Sequence, residues 1–386
     1  MTLNVLIAPS GFKESLAAED VAASIARGVA RAAPEAQIRC LPMVDGGEGF
    51  TKGLVAATGG SLHEVEVTGP VGQPVQSHFG FLGESGPRTA VLEMAAAAGL
   101  RLVPTEIRDP TVTTTFGVGE LIRAAMDAGA ERILIGCGDS GTNDGGAGMA
   151  QALGMRLLDR KGRELGPGGR HLRDLHRIDM SGRDPRLDHV RIDVACNWHN
   201  VLCGPKGVAR VFGPQKGASP ETVEELEAAL DVFAGVIAKQ LGKDVRTMAG
   251  GGASGGLGAG LHAMAGAHLH PRFKIVDRYL KMDSLLREAD LVITGEGGID
   301  YQTPRGKIPA EVARRAQNYG LPVIALAGTI GSGAEVNLGH GIASYASIVE
   351  GPCSLGEAME DAEDLVTRAA ERMMRLIGVG RVLKAA

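Results

Sequence analysis

The stretch Ile133-Leu-Ile-Gly-Cys-Gly-Asp-Ser-Gly-Thr-Asn-Asp-Gly-Gly-Ala-Gly148 decides how the rest of the chain is read. A short apolar run bounded by glycines reads as a buried strand, and Ala147-Gly-Met-Ala-Gln-Ala-Leu153 after it reads as a helix. The loop between them therefore lies at a strand's carboxyl end, where open α/β sheets bind ligands. Glycines let backbone N–H groups approach an anion closely, and Thr142, Asn143 and Asp144 add a hydroxyl, an amide and a carboxylate at one spot. The competing reading is a tight strand-to-helix turn with Asp144 as its N-cap. The residues alone leave both open.

The same texture recurs on either side. Asn4-Val-Leu-Ile-Ala8 reads as a first strand, ended by Pro9, with Lys13 and Ser15 in the polar loop before a helix over 17–33. Ser15 reads equally well as that helix's cap. A second strand over 37–44 empties into Asp45-Gly-Gly-Glu-Gly49, which places Asp45 and Glu48 as a pair suited to metal or proton chemistry. Segments 62–67, 75–82 and 88–94 are short alternating runs between Gly/Pro turns and read as antiparallel strands. Further on, strand 190–196 leads into Asn197-Trp-His-Asn200, and Gln215 and Lys216 stand on a Gly/Pro-shaped loop. Ser219-Pro220-Glu221 then starts a long helix. The run Gly250–Gly260 reads as a phosphate-approaching loop, a hinge or close helix packing. Strand 291–294 runs into a loop carrying Glu296, Asp300 and Lys307, and strands near 323 and 345 precede a closing helix. Because the two ends share one texture, we expect residues 1–60 and 288–386 to form one discontinuous parallel-sheet domain, with 61–287 inserted as a second α/β domain.

Composition narrows the partners. The chain has 386 residues, 44% hydrophobic and 22% charged, which suits two domains with a large core. A net charge of −5, no basic block and 3% aromatics argue against nucleic acid or anionic membranes and for a small ligand. Five cysteines without paired spacing point to a reducing cytoplasm rather than a disulfide framework. The start of the chain lacks a basic n-region, and no apolar run reaches membrane-spanning length. A homodimer is left open.

Motif tests remove the common nucleotide folds. Gly306-Lys307 fails the Walker A pattern because positions 301 and 308 are Tyr and Ile. The pattern G-x-G-x-x-G occurs at Gly136, Gly138 and Gly141, with Asp159 at the distance of a ribose-binding acid. It occurs again at Gly250, Gly252 and Gly255, which makes it cheap in a chain with 57 glycines. What recurs is carboxylates and lysines at glycine-shaped strand ends. That set suits phosphoryl transfer, with lysines balancing phosphate charge, acids holding Mg²⁺ and one acid accepting the proton of an attacking hydroxyl.

Ala8-Pro9 with Phe12-Lys-Glu-Ser-Leu16, Asp45-Gly-Gly-Glu-Gly49, Thr142-Asn-Asp-Gly-Gly-Ala-Gly148, Phe212-Gly-Pro-Gln-Lys-Gly-Ala218, and Thr294-Gly-Glu-Gly297 with Ile299-Asp300 and Gly306-Lys307 occur in that order. Together they resemble the bacterial glycerate 2-kinase family from the first strand to the last helix. The resemblance implies a two-domain α/β fold, a flavodoxin-like domain carrying an insertion, with the site in the cleft between the two. It also implies ATP- and Mg²⁺-dependent phosphorylation of D-glycerate. On this reading Lys13 and Lys307 neutralise phosphate or carboxylate charge, Asp45 and Glu296 hold Mg²⁺, and Asp144 is a candidate base. Ser15, Thr142, Asn143, Asn197, Asn200, Gln215, Lys216 and Asp300 are expected to bind substrate or nucleotide.

The chain departs from the family pattern where Asn197-Trp-His-Asn-Val201 replaces an expected Asp-Val-Asp-Asn-Pro. Ser10-Gly11 and Tyr301/Arg305 differ as well. An amide cannot accept the hydroxyl proton and His199 can, so His199 joins Lys13, Asp45 and Asp144 as a catalytic candidate. Two other outcomes stay open: a homologue acting on a different small acidic metabolite, and a catalytically weak metabolite binder.

Overall fold

The structure, a computed structural model, describes residues 2–12, 15–44, 46–83 and 86–385, with side chains through residue 380. It divides into two compact units, Met1–Val44 with Leu280–Ala386, and Asp45–Tyr279. Lys13 and Asp45 lie outside the described residues.

The first unit is built on five strands that lie side by side in the order Gln37–Cys40, Asn4–Ile7, Leu291–Ile299, Val323–Ile330 and Ser344–Ser347. Every neighbouring pair is parallel. Numbered along the chain this is 2-1-3-4-5, the flavodoxin-like order, with its switch point between Asn4–Ile7 and Leu291–Ile299. Continuous apolar runs such as Val5-Leu6-Ile7 and Leu291-Val-Ile293 are what a sheet covered on both faces requires. The helix Ala18–Ala32 buries Val21, Ala22, Ile25 and Val29 against this sheet and against Val366, Ala369 and Ala370 of the helix Ala362–Ala385.

The third strand is longer than the sequence suggests. Leu291–Ile299 stays paired with Val323–Ile330 as far as Ile299 opposite Ile330. Its glycines permit this, since a Cβ at Gly295 would lie 2.9 Å from the Leu326 carbonyl oxygen. Glu296 therefore stands on a strand rather than in a loop.

The second unit has a six-stranded sheet in which spatial order follows chain order: Ser61–Thr68, Pro74–Phe81, Thr89–Glu93, Arg132–Gly136, Arg191–Cys196 and His268–Pro271. The first two pairings are antiparallel, as the alternating runs predict. Thr89–Glu93 differs on its other side, where it pairs parallel with Arg132–Gly136, because the helix Phe116–Asp127 carries the chain back. The last strands continue parallel. The helix Pro220–Leu241 begins as expected, Ser219 accepting the Thr222 N–H and Pro220 filling the first turn.

The unit boundaries fall at 44/45 and 279/280, not at 60/61 and 287/288. Residues 46–60 belong with the second unit because the helix Phe50–Thr58 packs on Pro74–Phe81 and Thr89–Glu93. The helix Met282–Glu288 packs beside Asn4–Ile7 in the first.

Gly28 marks the tightest helix contact of the first unit. A Cβ there would sit 2.2 Å from the Thr367 carbonyl oxygen. Gly28→Ala should therefore lower unfolding free energy by about 1–3 kcal/mol through overpacking. Urea unfolding monitored by circular dichroism checks this, and an unchanged midpoint contradicts it.

Candidate active site

At the switch point of the first unit, the chain leaving Ile7 stays close to the third strand. Ser10 is buried, and both its N–H (2.8 Å) and its hydroxyl (3.1 Å) donate to the Gly295 carbonyl oxygen. Glu296, half-buried, follows immediately. Past Ile299 the chain turns, and Asp300 accepts the Gln302 N–H at 2.8 Å. Lys307 Nζ lies 3.5 Å from Asp300 Oδ1 and donates to the Gly298 carbonyl at 3.3 Å, with both side chains 31% exposed. Lys307 also opens the helix Ile308–Gln317, whose first N–H groups add positive potential at the same place. Tyr301 is half-exposed beside them, with the Arg305 guanidinium 5.7 Å from its ring centroid. Asp300 and Lys307 thus meet just past the end of the strand that carries Glu296. Ser15 does not cap the helix Ala18–Ala32, which has no side-chain cap; its hydroxyl donates to the Met359 carbonyl at 3.3 Å.

In the second unit the loop after Arg132–Gly136 is interior. Thr142, Asn143 and Asp144 are each 0% exposed. Asp144 Oδ2 accepts from Thr115 N (2.8 Å), Thr115 Oγ1 (2.9 Å) and Gly148 N (3.1 Å), and Oδ1 accepts from Gly146 N (3.1 Å). Burial raises its pKa, while these four donors favour the charged form. Asp144 is thus a structural tie, close to the capping role that the sequence left open. Among the described residues Thr142 Oγ1 and both amide atoms of Asn143 have no hydrogen-bond partner, which is unusual for buried polar groups and marks them as ligand-facing candidates.

Lys216 also changes role. It is 2% exposed, and its Nζ donates to the Thr142 carbonyl at 2.6 Å and Ser140 Oγ at 2.9 Å. Burial lowers its pKa to about 7, against the opposing pull of Asp144. These two bonds brace the loop, while neighbouring Gln215 is exposed.

The parallel strands of this unit end together, with Glu93, Gly136 and Ala195 level across the sheet. Gly46–Gly49 crosses that edge. A Cβ at Gly46 would lie 3.0 Å from the Ala195 carbonyl oxygen, and one at Gly138 2.7 Å from Gly47. Glu48 N donates to Asp139 Oδ2 at 3.1 Å. Beside it, the turn after Arg191–Cys196 is closed by His199 N donating to Asn197 Oδ1 (3.1 Å) and Asn200 N donating to the Asn197 carbonyl (3.2 Å). The His199 ring is exposed, and Asn197 and Asn200 are half-buried.

Sequence reasoning missed Glu93. Buried at this edge, it accepts the Gly49 and Thr51 N–H groups at 3.1 and 2.7 Å. The signal, a carboxylate ending an apolar strand, was the one that singled out Asp45, but Glu93 was absorbed into the strand over 88–94. The dinucleotide pattern finds no support, since ten residues separate Gly136 from the helix Ala147–Ala152 and Asp159 is paired with Arg163 in a surface turn. Gly250–Gly256 forms turns packed on neighbouring backbone, and a Cβ at Gly255 would sit 1.9 Å from the Thr142 carbonyl oxygen. Of the three readings, close packing is the one found.

The buried lysine has a pH signature. Between about 7 and its usual 10.5 the unfolded chain carries a proton that the folded chain does not, so this group makes stability rise with pH across that window. The melting-temperature difference between wild type and Lys216→Met should therefore shift in favour of wild type from pH 7 to about pH 9. A constant difference shows that the ammonium is not desolvated.

Comparison with known proteins agrees along the whole length. The profile of the glycerate kinase family matches residues 5–378. A Bacillus subtilis (strain 168) protein named glycerate kinase is 48% identical over 381 residues, 99% of each chain. The protein of Escherichia coli (strain K12) named glycerate 2-kinase is 45% identical over 98% of this chain and 99% of its own. A crystal structure of a Salmonella typhimurium LT2 protein, named as a glycerate kinase 2, superposes with a TM-score of 0.82 at 46% identity, covering 98% of this chain and 99% of that one. A flavodoxin-ordered sheet, an inserted mixed sheet and a likeness that runs from end to end lead to one assignment: the chain belongs to the glycerate kinase family, phosphotransferases with an alcohol acceptor.

Proposed function

We propose that this chain transfers the γ-phosphoryl group of ATP to a hydroxyl of D-glycerate in the cytoplasm. The observation that carries the chemical reading is the part-exposed Lys307–Asp300 pair just past the end of the strand Leu291–Ile299, beside a helix N-terminus. The substrate follows from likeness to proteins named glycerate kinase over nearly the full chain. Lys307, and Lys13 by family likeness, offset the charge of phosphates or of the substrate carboxylate. Once Asp144 is tied into the fold, His199 is the candidate that remains free to accept the hydroxyl proton, with Asp45 as the other choice.

Among the described residues no group of three or more His, Cys, Asp or Glu side chains could hold a metal. Mg²⁺ does not require one, because it is held by one or two carboxylates together with nucleotide phosphates and water. Glu296, a half-buried oxygen donor at the switch point, fits that pattern, and Asp45 is its proposed counterpart. When bound, Mg²⁺ offsets the negative charge of the β- and γ-phosphates.

Incubation with ATP, Mg²⁺ and a panel of three- and four-carbon hydroxy acids, scored by ADP release, should single out D-glycerate. Thermal stabilisation by a panel member with no ADP formed would instead indicate a binder. Lys307→Ala should lower kcat by roughly 10²–10³-fold, the scale for one transition-state electrostatic contact.

Asn197 and His199 support a second reading, in which the acceptor is larger or more acidic than glycerate. Two carboxylates expected there would repel an anionic acceptor that an amide and an imidazole tolerate. The same panel run on Asn197→Asp/His199→Asp should then move toward D-glycerate. Identical profiles for the two proteins would leave the difference without a functional role.

A further inference from the structure

The helix Phe50–Thr58 starts on Gly49, which has φ 85° and no side chain with which to cap the helix. Its first N–H groups are met from another strand. Glu93 Oε1 accepts Gly49 N and Oε2 accepts Thr51 N, the position a capping oxygen normally serves. Glu93 is 4% exposed, so few alternatives from solvent are open to these donors. The same carboxylate thereby fixes one end of Gly46–Gly49, whose middle is held by Asp139 Oδ2 on Glu48 N and by close packing on Gly138. This segment follows Asp45 directly and crosses the edge where Glu93, Gly136 and Ala195 end their strands. No contact of Glu93 with a substrate is needed for it to matter there.

We propose that Glu93 is a positioning residue for phosphoryl transfer, holding the loop over residues 46–49, which follows Asp45 in the sequence, in its working place by accepting the Gly49 and Thr51 N–H groups; the proposal rests on the kinase reading of that loop. Its ionised form accepts both N–H groups. The protonated acid keeps one carbonyl acceptor and turns its other oxygen into a donor facing an N–H, so protonation loosens the loop. Burial, assisted by Glu48, raises this pKa to about 7 against the two N–H bonds, which places the change near neutral pH. Among the described residues Glu48 is the charged neighbour that acts on Glu93, and Asp139 and Arg101 in turn contact Glu48. His78 is held below its usual pKa, first by burial and then by Lys52.

The test is steady-state kinetics of Glu93→Gln and Glu93→Asp across the neutral pH range, with Asp45→Asn in parallel and each protein's melt recorded. Glu93→Gln keeps size and one acceptor but presents an NH₂ to the second N–H. It should lower kcat by about 10- to 100-fold, the range for a small misplacement of a reacting group, with smaller changes in either KM. Wild-type kcat should rise with pH through about 7, and that limb should be absent in Glu93→Gln. If Glu93→Gln does not fold, Glu93→Asp carries the test: its shorter carboxylate should lower kcat while keeping the pH limb. An inactive Asp45→Asn beside a Glu93→Gln with wild-type kcat and pH profile overturns the proposal alone. A fully active Asp45→Asn removes the loop from the reaction and overturns both the proposal and the reading beneath it.

Discussion

The Asp144 carboxylate is the constraint on which the second unit depends. Four donors from Thr115, Gly146 and Gly148 converge on it, and Thr115 Oγ1 also receives the Met149 N–H at 3.0 Å. One side chain thus joins the start of the helix Phe116–Asp127 to the start of Ala147–Ala152 and sets the loop between the latter and its strand. A buried charge is tolerable only when its hydrogen bonds are complete. Here they are complete, and the rigidity that results keeps Thr142 and Asn143 in place.

Around that tie the backbone packs on itself. Gly145 N donates to the Gly255 carbonyl, and Gly252 N donates to the Asn200 carbonyl. A Cβ at Gly252 would lie 2.0 Å from the Val201 carbonyl oxygen. Loops that carry function are normally mobile. These are interlocked because side chains are missing where main chains meet, so glycine serves here as a means of stiffening the edge of the sheet.

Exposure divides the lysines and carboxylates at these strand ends into two sets. Lys307 and Asp300 remain part-exposed just past the strand Leu291–Ile299, and His199 stands outward on its turn. Lys216, Asp144 and Glu93 are buried, with hydrogen bonds committed to other parts of the chain. The chemical types are the same in both sets, lysines and carboxylates at glycine-rich strand ends, and their roles differ because their surroundings do.

How much of this was legible in the sequence follows from the range of each signal. Apolar runs before glycine, the Ser219-Pro220-Glu221 helix start and the change of texture at either end of the insertion are local patterns, so the strands, the long helix and the discontinuous α/β organisation could be read directly. The motifs carried the family for the same reason. The sequence could not tell that Lys216 turns inward, that Asp144 is enclosed, that Leu291–Ile299 continues past its glycines or that Glu93 caps a helix 42 residues before it. Each of these depends on which distant donor, acceptor or backbone lies opposite, through Ser140, Thr115, Leu326 and Gly49 respectively. Sequence determined which groups stand at strand ends; only the tertiary structure decided which of them were left facing water, because burial and hydrogen-bond partners are properties of the packed chain.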